Sequence, residues 1–174
     1  METTRISALE RFEAHVIPAI EGHWLRDSLA VDFLEQHLPW AVSGDEAVPC
    51  GPAAFGALFG SDRAEALNIS RPQMNRRQME SAIRGIGANY SRRQNHWPKR
   101  GLCLIQWQGP WLDRVFRGSN LQFTHWVCVA HGYVFDVNWS GWLPKNVWEE
   151  VVVHDLLRQH RRSIGWKPLT SYEI

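Results

Sequence analysis

Apolar positions change period partway along the chain, and that change predicts its architecture. From Ile6 to Trp24, Leu9, Phe12, Val16, Ile17 and Ile20 recur every three to four residues, which predicts an amphipathic helix strained at Pro18. A second helix is expected over Asp27–Leu38, with Leu29, Phe33, Leu34 and Leu38 on one face. The pattern stops between Trp40 and Pro49, where Ser43-Gly44-Asp45-Glu46 reads as a loop. From Gly51 the stretch Pro52-Ala53-Ala54-Phe55-Gly56-Ala57-Leu58-Phe59 is apolar all round and rich in small residues, as a buried helix approached closely by its neighbours would be. Pro52 suits its first turn, where the missing N–H has no partner to lose. A further helix is expected over Pro72–Ile86, and Gly87–Lys99 reads as an exposed loop.

Beyond Arg100 the period shortens. Leu102–Trp107, Phe123–Ala130 and Tyr133–Asn138 are short β-branched or aromatic runs separated by turn residues, which predicts an antiparallel sheet. Helical spacing returns over Val147–Arg161, although Val151-Val152-Val153 also fits a strand, and Trp166–Ile174 is expected as a last strand. Helices first and sheet second make an α+β chain. At 174 residues and 44% hydrophobic it has the size and core of one domain, with residues 1–45 as a helical N-terminal extension and 46–174 as the functional core.

Charge and cysteine content narrow the function. Nineteen Lys and Arg against 18 Asp and Glu leave a net charge of +1, so a nucleic-acid or membrane partner is not expected, and the pairs Arg76-Arg77, Arg92-Arg93 and Arg161-Arg162 read as solvated faces. No apolar run is long enough for a membrane span or a secretory signal, so a cytoplasmic location is expected. Three cysteines with no pairing pattern leave at least one thiol free.

Cys50 stands where a loop meets a helix, the place where unpaired backbone N–H groups and the helix dipole favour a thiolate. Pro49 before it and Gly51-Pro52 after it fix the backbone around the sulfur, whereas Cys103 and Cys128 lie inside strand patterns as buried apolar residues would. His125 alternates with Val127 and Val129, opposite in parity to Cys128, which argues against a zinc ion shared by the two. His131-Gly132 fits a two-residue hairpin turn. If Ala130 pairs with Tyr133, His125 faces Asn138 and Val127 faces Asp136, so both polar side chains share the His125 face. A carboxylate on an otherwise apolar strand needs a partner, and an imidazole N–H is the one on hand.

Cys50-Gly51-Pro52-Ala53-Ala54, His125-Trp126-Val127 and Phe135-Asp136-Val137-Asn138 together resemble the papain-like fold, with its nucleophilic Cys at the start of a buried helix packed on an antiparallel sheet, then His on one strand and Asp or Asn on the next. The Cys-Gly-Pro-Ala segment looks like that of the bacteriocin-leader peptidases, and Phe-Asp-Val-Asn is similar to a segment of secreted bacterial effector cysteine proteases in which the Asp completes the triad. The resemblance implies a bacterial cysteine (thiol) protease or related hydrolase, with Cys50, His125 and Asp136 as its triad. The hairpin register favours Asn138 for the third place, and Asp136 ranks first by a small margin. Effector-type secretion is the alternative location that the resemblance brings.

Papain-like peptidases commonly carry an oxyanion-stabilising Gln several residues before the Cys; here that stretch holds none, and the nearest upstream is Gln36. The Cys50 N–H is one expected donor, with the second not placed. Ten Trp allow an aromatic cleft, with Trp107, Trp111, Trp139 and Trp142 as its candidate walls, although core packing is the commoner fate of such rings. The expected reaction is amide cleavage (peptidase, isopeptidase or deamidase) through a thioacyl-enzyme, on a peptide, protein or glycan-peptide substrate, with no metal or organic cofactor. A papain-like acyltransferase, a peptidoglycan amidase and a non-catalytic Trp-rich peptide- or glycan-binding module are the alternatives.

Overall fold

A computed structural model describes residues 49–67, 74–109, 123–139, 141–153 and 163–174. The helices expected over 6–24 and 27–38 lie outside these residues. Helix α1 (Cys50–Phe59) begins where the sequence puts it, after Pro49 in extended conformation. It is followed by the short α2 (Ser61–Glu65) and by α3 (Arg76–Gly85). A reciprocal capping box sets the start of α3: the Asn75 side chain accepts from Gln78 N–H, and the Gln78 side chain accepts from Asn75 N–H.

Six antiparallel strands follow: β1 (Ser91–Gln94), β2 (Gly101–Gln108), β3 (Thr124–Ala130), β4 (Tyr133–Asp136), β5 (Gly141–Pro144) and β6 (Gly165–Glu173). Their order across the sheet is β1-β6-β2-β3-β4-β5. Two strands were not expected. β1 lies in the stretch read as an exposed loop; its Ser-Arg-Arg-Gln is exposed throughout, so no apolar alternation marks it, and pairing to β6 holds it at the sheet edge. β5 is only four residues and follows β4 through the turn that begins at Val137. The helix expected over Val147–Arg161 is, where described, a short α4 (Lys145–Trp148) that runs into a π-helical turn, Glu149–Val153.

The β3–β4 hairpin has the expected turn: His131 and Gly132 both have positive φ, 51° and 81°, as a two-residue type I′ turn requires. Its register is also the expected one, Ala130 against Tyr133, Val129 against Val134 and Cys128 against Phe135. In β6, Leu169 is the extra residue of a bulge opposite Leu104 and Ile105, next to Pro168, which has no N–H to give a ladder.

The sheet is covered on both faces. Ala53, Ala54, Phe55, Ala57 and Leu58 of α1, with Met79 and Ile83 of α3, pack on Leu102, Leu104, Trp126, Cys128, Tyr133, Phe135 and Tyr172. The other residues of the same strands, Cys103, Ile105, Trp107, Val127, Val129, Val134 and Leu143, pack on Val147, Trp148, Val152 and Val153. Period-two alternation therefore splits each strand between two cores.

Candidate functional site

The site is built where β3 begins and β4 ends. α1 crosses β3, β4 and β2 on one face of the sheet, and its first residue is Cys50. Pro49 supplies no capping side chain, so the first backbone N–H groups of α1 are left for other partners. Close packing fixes this helix start. A Cβ on Gly51 would stand 2.4 Å from Met74 Cβ, so only glycine admits Met74 there. Trp126 Nε1 donates to Met74 O at 2.7 Å and ties the same segment to β3.

His125 belongs by alternation to the opposite face, with Val127 and Val129, and Asp136 likewise with Val134. The thiol thus comes from the α1 layer and the His–Asp pair from the far face, and they meet at the margin of the sheet. His125 Nε2 lies 2.9 Å from Asp136 Oδ1. With Nε2 engaged, Nδ1 is the ring nitrogen left for Cys50, whose side chain hydrogen-bonds His125. The Trp126 backbone N–H also donates to the sulfur.

Asp136 is fully buried and every bond it makes favours its ionised form. Oδ1 accepts from His125 and from the Asn138 N–H at 2.9 Å; Oδ2 accepts from Trp148 Nε1 at 2.9 Å. Burial alone raises its pKa, but the His125 charge and hydrogen bond, with Trp148 and the Asn138 N–H, outweigh it, and the net direction is down. Burial works against a charged His125 too. Asp136, by charge and hydrogen bond, and then Cys50 overcome it and raise the imidazole to about 10. Burial likewise opposes a Cys50 thiolate, yet the His125 hydrogen bond and charge and the Trp126 N–H bring the thiol below its ordinary value. Thiolate and imidazolium stabilise each other as an ion pair, anchored by a buried carboxylate. Cys103 and Cys128 have no imidazole against the sulfur, and burial pushes both thiols far up, at Cys128 against the weaker opposing effects of the Arg100 charge and the Val129 backbone bond.

Both candidates for the third place stand near the imidazole, with different hold on it. Asn138 Nδ2 is 3.3 Å from His125 Nε2, but Asn138 is exposed and lies past the end of β4, in the turn where Trp139 N–H donates to Asp136 O. One ring nitrogen serves one partner well, and the shorter, charge-assisted bond is to Asp136. The carboxylate also orders the turn through the Asn138 N–H, so orienting a histidine and capping a turn fall to the same group.

Of the four tryptophans expected to line a cleft, Trp107 is 3% exposed within the far-face core and Trp142 is 5% exposed against Phe135 under α1. Both are core rings with almost no surface for a ligand, which corrects the expectation of a cleft wall for these two. Trp139 is half-buried at the edge of the far-face core, and Trp111 lies outside the described residues. The tryptophan that matters most to the His–Asp pair is Trp148, which the sequence reading passed over. Its helical spacing marks it only as apolar, and nothing local announces an indole donor for Asp136. Among the described residues, no group of three His, Cys, Asp or Glu is arranged to hold a metal ion. No described helix is long and apolar enough to cross a membrane.

Comparison with known proteins adds no relative: no family model, curated protein or solved structure matches this chain.

Proposed function

We propose that this chain is a papain-like cysteine hydrolase that cleaves an amide bond through a thioacyl-enzyme. Cys50 attacks the carbonyl carbon, His125 protonates the leaving amine and then activates the hydrolytic water, and Asp136 holds the imidazole and stabilises its charged form. The observation that carries this reading is the continuous chain from Cys50 through His125 to Asp136, in which the thiol is lowered, the imidazole raised and the carboxylate buried yet charged. Such opposed shifts in groups that touch one another mark a site prepared for chemistry. The order Cys at a helix start, His on a strand and Asp at the end of the next strand supports the papain-like assignment. The substrate in this reading is a peptide, a protein or a glycan-peptide. Acyl transfer and peptidoglycan amide hydrolysis use the same three groups and differ only in acceptor and substrate.

Iodoacetamide near neutral pH, followed by mass spectrometry of the digest, tests the reading. Cys50 is expected to be carboxamidomethylated well ahead of Cys103 and Cys128, and peptide mixtures incubated with the protein to show new termini or Gln-to-Glu conversion that Cys50→Ala abolishes. A Cys50 that reacts no faster than the two strand cysteines points instead to a binding module with an inert thiol and sinks the hydrolase reading.

A further inference from the structure

β1 ends the sheet on one side, and all four of its residues, Ser91, Arg92, Arg93 and Gln94, are exposed. Asn95 N–H donates inward to Leu169 O, so alternation turns the backbone groups of Ser91 and Arg93 towards β6 and those of Arg92 and Gln94 away from it. Two N–H and two C=O groups therefore line the outer edge, and among the described residues none of them has a partner. An open edge of this kind is a template for another strand.

Charge decides which strand fits. α3 lies along β1 on one face, held at three points: Arg84 stands over the Tyr90 ring just before the strand, Glu80 bonds Arg92 in its middle, and Arg76 Nη1 is 3.5 Å from Thr170 Oγ1, opposite Gln94. Arg93 emerges on the other face, near Glu173. Glu80 and Glu173 offset Arg92 and Arg93, but Arg76, Arg77 and Arg84 are exposed with no acidic partner among the described residues. Arg76 and Arg77 also stand in the first turn of α3, the end of a helix that disfavours cations and favours anions. On a chain whose net charge is only +1, this edge is strongly basic. The same groups oppose a second copy of the chain. In either of the two antiparallel registers that pair most of β1 with itself, one copy's arginine faces the same arginine of the other, Arg92 with Arg92 or Arg93 with Arg93.

We propose that the β1 edge is a docking site for an acidic, extended protein segment, which adds to the sheet as a further strand and sets carboxylates against the arginines on both of its faces. The backbone groups of Arg92 and Gln94 supply its ladder, and Arg76, Arg84, Arg92 and Arg93 select its charge. β6 and β2 separate β1 from the His125 strand, so docking here is distinct from the chemistry at Cys50 and needs none of it.

The probe is a fluorescein-labelled peptide, Thr-Glu-Glu-Thr-Glu-Glu-Thr, whose adjacent glutamates put a carboxylate on each face of a strand. Its lysine counterpart and an oligothymidylate of similar charge are the comparisons. The acidic peptide is expected to bind the full chain by fluorescence anisotropy, more weakly as salt rises. It should also slow hydrogen exchange at the Arg92 and Gln94 N–H while leaving Arg93, already bonded to β6, unchanged. Gln94→Pro removes an outward N–H and no bond to β6, and Arg92→Gln combined with Arg93→Gln removes the charge of the strand. Each change should weaken binding by about tenfold, with a thermal melt to show that the fold is kept; if a variant unfolds, amide protection in the wild type still decides the matter. The proposal is overturned if the acidic peptide does not bind or does not protect those amides, if the lysine peptide binds as well, or if folded Gln94→Pro binds as tightly as the wild type. It is overturned too if oligothymidylate protects the same amides, the mark of a nucleic-acid site, or if sedimentation shows a dimer that Gln94→Pro dissociates, the mark of a second copy on the edge.

Discussion

The start of α1 and the interior of β2 and β3 each carry free thiols, and the two regions treat the same chemical group in opposite ways. Cys103 and Cys128 are wholly buried in strands, one on each face of the sheet; burial dominates both, the Arg100 charge and the Val129 backbone bond at Cys128 do not offset it, and they are held protonated. Cys50 also pays for desolvation, but at its margin a helix start, an imidazole and a strand N–H converge on the sulfur. Burial is thus not what makes a cysteine inert. The lack of a charge that also hydrogen-bonds the sulfur does that: Arg100 acts on Cys128 by charge alone and does not offset burial, whereas His125 does both at Cys50.

Removing His125 should therefore collapse the comparison and gives the largest effect. In His125→Ala, Cys50 keeps its desolvation and loses its ion partner, so its thiol should rise to join Cys103 and Cys128. Alkylation of Cys50 at neutral pH should fall by roughly two orders of magnitude, read as the rate of iodoacetamide labelling against pH. A Cys50 that stays reactive in this variant would show that the helix start alone makes the thiolate.

Next in size is the third residue. Asp136→Asn should lower turnover by about 10²–10⁴, while Asn138→Ala changes it by only a few fold. The same variant carries a pH signature. The lowered pKa of Asp136 gives stability that is present above its ordinary 3.8 and lost as pH falls through the folded value. The raised pKa of His125 gives stability that is complete below its ordinary 6.5 and lost as pH rises toward about 10. Asp136→Asn should flatten both limbs of a plot of Tm against pH. Greater damage from Asn138→Ala would return the role to the residue the hairpin register favours.

How far the sequence carried this site follows from where its signals are local. Pro49-Cys50-Gly51-Pro52 marks a helix start by backbone chemistry alone, and His131-Gly132 marks the hairpin and its register, so Cys50, His125 and the neighbourhood of Asp136 were legible. The choice between Asp136 and Asn138 was not, because strand counting assumes a ladder that continues, and β4 ends at Asp136, with Asn138 already in the turn. Trp148 was hidden for another reason: it reaches Asp136 only after an unheralded β5 and a short helix bring it back over the far face. Trp107 and Trp142 stood near turn signals that suggested a cleft, yet each lies on a strand buried on both faces, and burial claims the ring.

Trp148→Phe is a smaller perturbation of the same comparison. It keeps an aromatic ring against Trp97 and Trp166 but leaves Asp136 Oδ2 buried without its donor. A loss of about 1–3 kcal/mol in unfolding free energy is expected. Because that hydrogen bond helps to lower Asp136, the acid loss of stability should begin at higher pH than in the wild type, and Cys50 labelling should slow by less than in Asp136→Asn. An unchanged acid limb would mean that the indole is packing rather than support for the carboxylate.

The smallest effect should come from the far end of the β3–β4 hairpin and serves to separate stability from chemistry. Gly132 has φ 81° and open space where a Cβ would stand, so Gly132→Ala meets no neighbour and carries only the backbone cost of a left-handed conformation. That cost is about 1 kcal/mol, or a fall in Tm of about 2–4 °C for a domain of this size. His125 and Asp136 stand at the opposite end of their strands from this turn, so the geometry around Cys50 should survive and its labelling rate should match the wild type. Trp148→Phe and Gly132→Ala then form a pair: both lower Tm, and only the first moves the acid limb and the reactivity of Cys50. If Gly132→Ala slows labelling in proportion to its loss of Tm, the reactivity of Cys50 follows the general stability of the hairpin, and the special character of the α1 start is a property of the whole sheet rather than of the groups that touch the sulfur.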